Sequence, residues 1–477
     1  MNAVQKLMKN IGSLFISQTL GYVIVFIYTI YLIRYLGVEN FGILSFALAL
    51  TSILEILSDL GLNILMTRDV ARDKSLTQKY FNNIIGIKLI LLVILVSGTV
   101  LGLNLMSYPL NEIYVIYLIL FMFIFNTFSG VFYSLFQAYE KLEYQSIANI
   151  LNSILMLAGV LLIIKFNSGL ILLSILYALI GGLVLLFYVY ISLTRFKFPK
   201  PRFEFDFNFW KPTLAQALQF GLIGVFTTIY VWIDSVMLSF MVGNEAVGIY
   251  NAAYRIVLVL LFIPIVINAA VFPVMSRLYG SSSDSLQRIT EKYFKFMLLI
   301  SMPMGILITF FAGNIILLLF GNQYYPSVIA LQILIWATVL TFINSSYVQL
   351  FQSSDKQMTV TKIAFIGMII NISLNLLLIP KYSYIAASFN TLVTELGGAV
   401  LILTVATRNN SLNPRKVSRD FVKISISGLV MFLSLVIFKE LNIFILVIIS
   451  TIIYLAVIYI TRTIDKEDIR IIKQIRG

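Results

Sequence analysis

The chain has 477 residues, of which 60% are hydrophobic and only 12% are charged. A soluble domain carries about 25% charged residues, so this composition excludes a soluble globular protein and indicates one that crosses a membrane many times. The sequence has no cysteine and no histidine, which excludes disulfides, thiolate nucleophiles, histidine-based catalytic triads and the usual zinc sites. We therefore expect no metal site and no resident cofactor.

Apolar runs of about 20 residues, the length that a helix needs to cross about 30 Å of hydrocarbon, recur from one end of the chain to the other. Period-2 alternation is not evident, so an outer-membrane barrel is not expected. The first run, 11–31, is too long for the apolar region of a signal peptide. We predict an all-α polytopic membrane protein with fourteen spans. Their approximate limits are 11–33, 41–65, 82–104, 112–137, 145–164, 169–193, 213–241, 247–276, 296–320, 327–351, 360–379, 384–406, 421–438 and 442–461.

Positively charged residues fall mostly in alternate connectors between these spans. Of the 34 lysines and arginines, 28 lie in connectors on one predicted side of the membrane, 4 lie on the other side and 2 lie within spans. The positive-inside rule then places both termini in the cytoplasm. We interpret the net charge of +13 chiefly as a topology signal, with attraction to anionic headgroups of the inner leaflet as the alternative. No nucleic-acid partner is expected.

A short connector occurs twice in the sequence. "GVENFG" at 37–42 and "GNEAVG" at 243–248 share the pattern Gly-x-Glu-x-x-Gly, and each joins two apolar runs. Further matches follow in the same order, such as "LFQAYEK" at 135–141 with "LFQSSDK" at 350–356, and the offset drifts slowly from 206 to 215 residues. Spans 1–6 and 7–12 are therefore predicted to be two parallel copies of one unit, related by an axis along the membrane normal.

This repeat predicts the domain organisation. Residues 1–195 form an N-lobe with spans 1–6, and 213–408 form a C-lobe with spans 7–12. The stretch 196–212, which is basic and contains prolines, is the cytoplasmic linker between them. Spans 13–14 and a cytoplasmic tail occupy 409–477, outside the repeat.

Four glycines bound the doubled connector, namely Gly37, Gly42, Gly243 and Gly248. They lie at predicted tight turns, where the permissive backbone of glycine is useful. They are candidates for hinges between two moving bundles. They are equally compatible with tight loops that have no gating role.

Ionisable and amide side chains occur at membrane depth, where they are costly and usually mark a cavity or pathway. Asp59 and Lys88 lie on sequential spans and have opposite charges. Asp234 and Arg255 form a second such pair. Each pair is either a salt bridge that fixes helix packing or part of a polar cavity between the lobes. Glu395 has no evident partner at its depth. The predicted cavity residues are Arg255, Asp234, Gln216, Gln219, Asn251, Glu55, Asp59, Lys88 and Glu395.

Two long stretches carry a family resemblance. They are "YLIRYLGVENFGILSFALALTSILEILSDLGLNILMTRDVAR" at 31–72 and "FGLIGVFTTIYVWIDSVMLSFMVGNEAVGIYNAAYRI" at 220–256. Both resemble the polysaccharide-biosynthesis transporter family, which includes the O-antigen flippases and belongs to the multidrug/oligosaccharidyl-lipid/polysaccharide exporter superfamily. The resemblance implies a flippase of the cell membrane that carries a lipid-linked oligosaccharide from the inner to the outer leaflet by alternating access.

The resemblance also implies roles for individual residues and partners. In this family, basic residues of the central cavity hold the anionic head of the substrate, a role that falls here on Arg255, with Lys88 and Arg34 as further candidates. The predicted cavity residues are as acidic as they are basic, so the resemblance leaves open how anionic the glycan is. The implied partners are the lipid-linked oligosaccharide, membrane lipids and a glycan polymerase or glycosyltransferase complex.

Other functions stay open at this point. A cation-coupled small-molecule exporter of the same superfamily would also have repeated lobes, with Na⁺ or H⁺ coupled through Asp59, Asp234 or Glu395. A membrane scaffold for a glycan assembly complex is a second alternative. An enzyme is not expected, because the longest segments outside the spans are about 20 residues, too short for a catalytic domain.

Overall fold

The computed structural model describes residues 3–106, 108–196, 204, 206–408, 412–465 and 468, with side chains described from residue 18 onward. The described residues form α-helices joined by turns and single-turn helices, with no strand among them. The α-helices are α1 (Ala3–Asp59), α2 (Leu62–Arg72), α3 (Thr77–Leu105), α4 (Leu110–Ala138), α5 (Leu142–Phe166), α6 (Gly169–Ile191), α7 (Phe207–Met241), α8 (Asn244–Leu260), α9 (Phe262–Tyr279), α10 (Ser283–Phe320), α11 (Ser327–Ser353), α12 (Gln357–Arg408), α13 (Pro414–Ile437) and α14 (Ile443–Ile460).

Twelve helical stretches in the described part of the chain are long and apolar enough to cross a membrane. Two of them, α1 and α12, each hold two predicted spans that meet at a single non-helical residue. That residue is Gly37 in α1, with φ 74°, and Ser383 in α12, with φ 54°. Counted separately, these halves bring the crossings to the fourteen predicted, and the all-α polytopic fold class is confirmed. The side of the membrane on which the termini lie stays a prediction.

Two predicted spans end differently in the structure. Span 2, predicted to reach residue 65, ends at Asp59 because Leu60 and Gly61 adopt left-handed conformations with φ 48° and 89°. The chain then continues as α2. Span 8 is divided into α8 and α9 at Leu261, three residues before Pro264, because a proline ring conflicts with the carbonyl four residues earlier.

The chain packs as two compact units, Met1–Asn251 and Ala252–Gly477. In the first unit, α1 contacts α4, α5 and α7, and α6 lies on α4 and α5. In the second unit, α11 contacts α10 and α12, and α13 lies on α10 and α14. The division between units follows packing, whereas the predicted lobes 1–195 and 213–408 follow the repeat. The lobe boundaries therefore stay a prediction.

A core of aromatic and aliphatic side chains lies at the predicted cytoplasmic end of the first unit. Phe81, Leu135 and Phe136 are fully buried there, and the ring of Tyr188 lies 5.7 Å from that of Phe136. Beside a bilayer such packing stabilises chiefly through van der Waals contact between the side chains. This core therefore holds together the ends of α3, α4 and α6, which carry residues of the candidate site.

Buried charges hold the segment after α14 to the second unit. Lys295 Nζ donates to Asp468 Oδ2, and Lys292 Nζ lies 3.4 Å from Asp468 Oδ1. Asp465 and Asp468 also exchange hydrogen bonds, each backbone N–H donating to the other carboxylate at 2.9 and 2.8 Å, as in a capping box. Burial raises the pKa of Asp465, but the N–H of Asp468 and the charges of the two lysines outweigh it and hold that pKa below its ordinary value.

Candidate functional site

The two copies of the doubled connector contact each other within the first unit. A Cβ added to Gly42 would lie 2.7 Å from the carbonyl carbon of Asn244 and closer still to its oxygen. A Cβ added to Gly248 would lie 2.9 Å from the carbonyl carbon of Val38 and again closer to its oxygen. Real Cβ atoms essentially never come within 3.0 Å of another residue's heavy atom. The close approach therefore requires glycine at both positions.

The first glycine of each connector meets a backbone requirement instead. Gly37 has φ 74° and Gly243 has φ 117°, and no described atom lies within 4 Å of a Cβ built on Gly243. Side-chain-bearing residues in such conformations cost of order 1–3 kcal/mol. The four predicted glycines thus divide into two turn residues and two contact residues, and a hinge role for them stays a prediction.

Hydrogen bonds surround this contact. Ser239 Oγ donates to Asn244 Oδ1 at 2.7 Å, and Asn244 Nδ2 donates to Glu112 Oε2. Asn244 is 8% exposed, so these are largely shielded bonds. They join the ends of α4, α7 and α8 at the predicted outer side of the membrane.

Asp59 and Lys88 form a salt bridge, one of the two possibilities that the sequence left open. Lys88 Nζ lies 2.8 Å from Asp59 Oδ1, and the Lys88 side chain is 1% exposed. Asp59 also accepts the backbone N–H groups of Gly61 and Asn63, each at 3.3 Å, and so caps the first turn of α2. The break after α1 therefore places the carboxylate between a buried ammonium and the start of the next helix.

The same ion pair lines a cavity of about 360 Å³, which we name the Asp59 cavity. The walls come from α1, α2, α3, α4 and α7 of the first unit. They bring two carboxylates and one ammonium to one polar space inside apolar helices. The polar side chains of the walls include Ser52, Glu55, Asp59, Asn63, Lys88 and Asn126.

A second cavity, of about 480 Å³, lies between α1, α4, α5 and α6, and we name it the bundle pocket. Glu55 and Asn126 line both cavities, and Asn126 Nδ2 donates to Glu55 Oε1 at 2.8 Å. The sequence predicted Glu55 but not the amides and tyrosines around it. Their signal is weak, because Asn149 and Asn152 are neutral and stand three residues apart in an apolar run. The further polar side chains of this pocket include Tyr28, Tyr133, Gln145, Asn149, Asn152 and Tyr177.

Two predicted cavity residues near the predicted cytoplasmic end of α7 lie outside both cavities. Gln216 and Gln219 are exposed, and neither lines the Asp59 cavity or the bundle pocket. Arg68 Nη2 donates to Gln216 Oε1 at 3.3 Å, and the Arg68 guanidinium lies 4.9 Å from the centre of the Phe220 ring. These contacts join α2 to α7 near the predicted cytoplasmic side.

Arg68 also pairs with its neighbour, at 2.6 Å from Nε to Asp69 Oδ1. The Tyr80 hydroxyl donates to Asp69 Oδ2 at 2.6 Å. Burial raises the pKa of Asp69, but the hydrogen bonds from Arg68 and Tyr80 outweigh it and hold that pKa below its ordinary value. The carboxylate therefore stays charged, and it orients the guanidinium that reaches α7.

Asp234 and Asn251 belong to a buried hydrogen-bonded group between α7 and α8. Asp234 is 2% exposed and accepts the hydroxyl of Tyr250 at 2.8 Å. Asn251 Nδ2 donates to Ser235 Oγ at 2.9 Å. Neither residue lines the two cavities of the first unit. Arg34, the further candidate from the family resemblance, is exposed on α1.

Two predicted residues lie in the second unit. Arg255 is half-buried, and its Nε has no hydrogen-bond partner among the described residues. Glu395 Oε2 accepts Nδ2 of Asn344 at 3.0 Å. No partner for Glu395 was evident from the sequence, and the structure supplies one, an amide on α11.

Three asparagines of the same unit form a hydrogen-bonded chain that was not predicted from the sequence. Asn390 Nδ2 donates to Asn375 Oδ1 at 2.9 Å, and Asn375 Nδ2 donates to Asn371 Oδ1 at 3.1 Å. All three side chains are fully buried. The pairing joins the two halves of α12. The four-residue spacing of Asn371 and Asn375 could have indicated a shared face, but not the partner on the other half.

Known proteins are similar to this chain in sequence. The model of the family "Polysaccharide biosynthesis protein" matches residues 7–279, and the MatE model matches 221–377. A putative O-antigen transporter of Shigella dysenteriae is 28% identical over 287 residues, 59% of this chain and 70% of that protein. A probable low-salt glycan biosynthesis flippase of Haloferax volcanii is 22% identical over 396 residues, 81% of each chain. Two other curated relatives are matched over only 32% and 37% of their own length.

The fold is also similar to that of solved transporters. A structure of the lipid II flippase MurJ in an inward closed conformation superposes with a TM-score of 0.75 at 16% identity, covering 96% of this chain and 99% of that one. At this identity the likeness concerns the fold. The family model, however, matches more than half of the chain. This multi-pass membrane protein therefore belongs to the polysaccharide biosynthesis protein family, within the multidrug/oligosaccharidyl-lipid/polysaccharide exporter superfamily.

Proposed function

We propose that the protein is a flippase that moves a lipid-linked oligosaccharide from the inner to the outer leaflet of the cell membrane, and that it is not an enzyme. The observation that carries this proposal is the Asp59 cavity, in which charged and polar side chains surround about 360 Å³ among membrane-spanning helices. A sugar head that enters hydrocarbon loses hydrogen bonds with water, at about 2–7 kcal/mol for each hydroxyl. A polar cavity replaces part of those bonds, while the lipid tail stays in the bilayer.

Alternating access is the mechanism that the doubled connector supports. Gly42 and Gly248 bring the two copies into backbone contact at the predicted outer side. Such a contact shuts that side while it lasts, and its opening would release a substrate outward.

The anionic head of the substrate needs a cation. In our proposal this is Arg255, whose Nε is buried without a hydrogen-bond partner in the described part of the chain. A guanidinium binds phosphate or pyrophosphate with two parallel hydrogen bonds. Lys88 is less suited, because Asp59 already neutralises it at 2.8 Å.

The driving force is a separate element of the proposal. Asp59, Asp234 and Glu395 are carboxylates at membrane depth, and the coupling of Na⁺ or H⁺ would need such groups because the sequence has no histidine. A second candidate function, cation-coupled export of small molecules, is favoured by one observation, the match of the MatE model to residues 221–377.

Deletion of the gene in its native host, followed by leaflet-resolved analysis of lipid-linked oligosaccharides, tests the function. Rescue is compared for wild type, Arg255→Ala, Arg255→Lys and the matched control Arg415→Ala, which removes an exposed arginine of α13. We expect a complete lipid-linked intermediate to accumulate on the cytoplasmic leaflet. Wild type and the control should restore flipping, Arg255→Ala should not, and Arg255→Lys should restore it in part because a lysine cannot reproduce the bidentate contact.

Other outcomes are equally informative. Unchanged lipid-linked oligosaccharides and intact surface glycans in the deletion strain would contradict the flippase and favour small-molecule export. Full rescue by Arg255→Ala would leave the flippase in place but remove Arg255 from the substrate path. A flipping rate that does not depend on pH or on Na⁺ would contradict the proposed ion coupling.

A further inference from the structure

We infer that the bundle pocket is a subsite for a neutral sugar unit of the transported glycan, an inference that rests on the proposed flippase function. Its volume of about 480 Å³ lies within the range of about 300–1,000 Å³ that small-ligand pockets occupy. It is lined by four helices of the first unit, and Glu55 is the one residue of its described lining that the sequence predicted.

The chemistry of the walls is that of hydroxyl recognition. Gln145, Asn149 and Asn152 contribute amides, each with two donors and one acceptor. Tyr133 and Tyr177 add hydroxyls that can donate and accept, together with aromatic faces. A pyranose ring carries hydroxyls that donate and accept around its rim and C–H groups on its faces. The two sets of groups are complementary.

Two buried polar atoms at this pocket have no hydrogen-bond partner within the described residues. They are Ser129 Oγ and Gln145 Oε1, and Ser129 is only 7% exposed. Buried polar groups are normally satisfied, and each exception calls for an explanation such as a missing ligand or water. Hydroxyls of a bound sugar would supply the missing partners.

Charge decides between neutral and anionic sugars. No lysine or arginine is present among the described residues that line the bundle pocket, whereas Glu55 is. Across both cavities the carboxylates of Glu55 and Asp59 face a single ammonium, that of Lys88. Lys88 is already paired with Asp59 at 2.8 Å, so an anionic sugar would lose its hydration here without gaining a partner cation among the described wall residues, which is costly. A phosphate or a uronic acid is therefore disfavoured here, and a neutral hydroxylated or acetamido sugar is favoured.

The α5 wall of the pocket lies in the predicted cytoplasmic half of the bundle, while Tyr28 and Tyr177 line it from the predicted outer half. Helix α5 starts at Leu142, so Gln145, Asn149 and Asn152 lie about 5–15 Å from its start at 1.5 Å per residue. Substrate is loaded from this half in the proposed direction of transport. A sugar held here would select the glycan before it crosses.

Ligand-observed saturation-transfer NMR on the purified full chain tests the subsite. The probes are N-acetylglucosamine and methyl α-glucoside, which are neutral, and glucuronate, which is anionic. We expect both neutral sugars to bind. The variant Asn149→Leu with Asn152→Leu should weaken their binding by about fivefold or more, since a lost hydrogen bond is worth about 1 kcal/mol. Asn104→Leu is the matched control, because Asn104 is an exposed amide that lines neither cavity.

Two further variants keep the test decisive if the double variant does not fold. Tyr177→Phe removes one hydroxyl and should lower the affinity for both neutral sugars. Glu55→Lys brings a cation into the wall and should raise the affinity for glucuronate relative to that for the neutral sugars. Equal binding of glucuronate and neutral sugars by wild type, or unchanged binding in the double variant and Tyr177→Phe, would overturn the inference.

Location can be tested independently because the chain has no cysteine. Met122→Cys places a single thiol in the wall of the bundle pocket, and a neutral sugar should slow its reaction with maleimide. Absence of protection would overturn the assignment to this pocket. The flippase proposal is judged by the leaflet assay alone. If the purified protein does not bind the sugars but the leaflet assay shows flipping, only the subsite is rejected. If the protein binds the sugars but the deletion strain has no flipping defect, only the flippase is rejected.

Discussion

A single methyl group at Gly42 should open the contact between the two connectors. The Cβ of Gly42→Ala would lie 2.7 Å from the carbonyl carbon of Asn244, whereas ordinary van der Waals contact begins at 3.4 Å. The backbones must therefore separate by more than about 0.7 Å, the difference between these two distances, because the carbonyl oxygen lies closer still. Both obstructing atoms belong to the backbone, so no side-chain rotation can relieve the overlap.

The size of the effect follows from the cost of overpacking. An extra methyl group in a well-packed interior costs about 1–3 kcal/mol. Because 1.4 kcal/mol corresponds to a tenfold change in an equilibrium constant, the closed contact should lose about 5- to 150-fold in population relative to an open one. A transporter that must close this side to complete its cycle would then flip more slowly.

The absence of cysteine from the sequence makes the assay direct. Val247 is fully buried beside Gly248, so Val247→Cys should react slowly with a membrane-impermeant maleimide. We expect Gly42→Ala to raise that rate at least about fivefold. The matched control is Gly98→Ala, in which the new methyl group has no neighbour within 4 Å. Labelling from outside but not from inside intact vesicles would also verify the predicted orientation.

A labelling rate in Gly42→Ala equal to that of the control would refute the close approach. The double variant Gly42→Ala with Gly248→Ala adds a check, because both methyl groups obstruct one contact and their effects should be less than additive. Fully additive effects would indicate two independent sites, and the reciprocal contact would be wrong.

Three further predictions concern the buried charges. Lys88→Met leaves the Asp59 carboxylate without its ammonium and should lower the free energy of unfolding by about 3–5 kcal/mol. The double variant Lys88→Met with Asp59→Asn should recover most of this loss. Equal Tm values for the single and double variants would contradict the pairing. Asp468→Asn should expose the segment after α14 to limited proteolysis, because Lys292 and Lys295 lose the charge of the Asp468 carboxylate. Glu440→Gln, which changes an 89% exposed side chain, is the control. Equal resistance of both variants to the protease would show that Asp468 does not hold this segment. The folded-state pKa of Asp465 is lowered, so its contribution to stability is present above the unfolded pKa of about 3.9 and is lost as the pH falls through the folded pKa. Protection of this segment from proteolysis should therefore be constant from pH 8 to 5 and decline below about pH 4. A decline between pH 7 and 5 would require another titrating group.

The spans were predictable because hydrocarbon imposes a length on every crossing helix. The exceptions have local causes. Span 2 ends early because Leu60 and Gly61 adopt positive φ, and Leu60 gives no sign of this in its residue type. Asp59 and Lys88 were predicted either to pair or to line a cavity, and they do both.

The bundle pocket and the asparagine chain could not be predicted for a different reason. Asn126, Asn149 and Tyr177 come from three helices, and each residue alone is an ordinary neutral side chain in an apolar run. Their significance depends on which faces meet, and that is set by packing between helices far apart in sequence. Charged residues are costly enough at membrane depth to attract notice singly, whereas amides are noticed only as a group.

The reciprocal connector contact has the form that a duplicated unit would produce. Gly42 contacts the backbone of Asn244 while Gly248 contacts that of Val38, and both pairs are matched by the same offset of 206 residues. This is the rule of an isologous interface, in which residue i of one copy meets residue j of the other and j meets i. A two-fold dimer obtains such an interface from one gene, so a single substitution alters both halves at once. Here the copies are covalently joined, each glycine can change alone, and yet each remains necessary because loss of either one opens the same contact. The second glycine of the doubled pattern therefore meets a packing requirement imposed twice, and this requirement does not by itself depend on any role in gating.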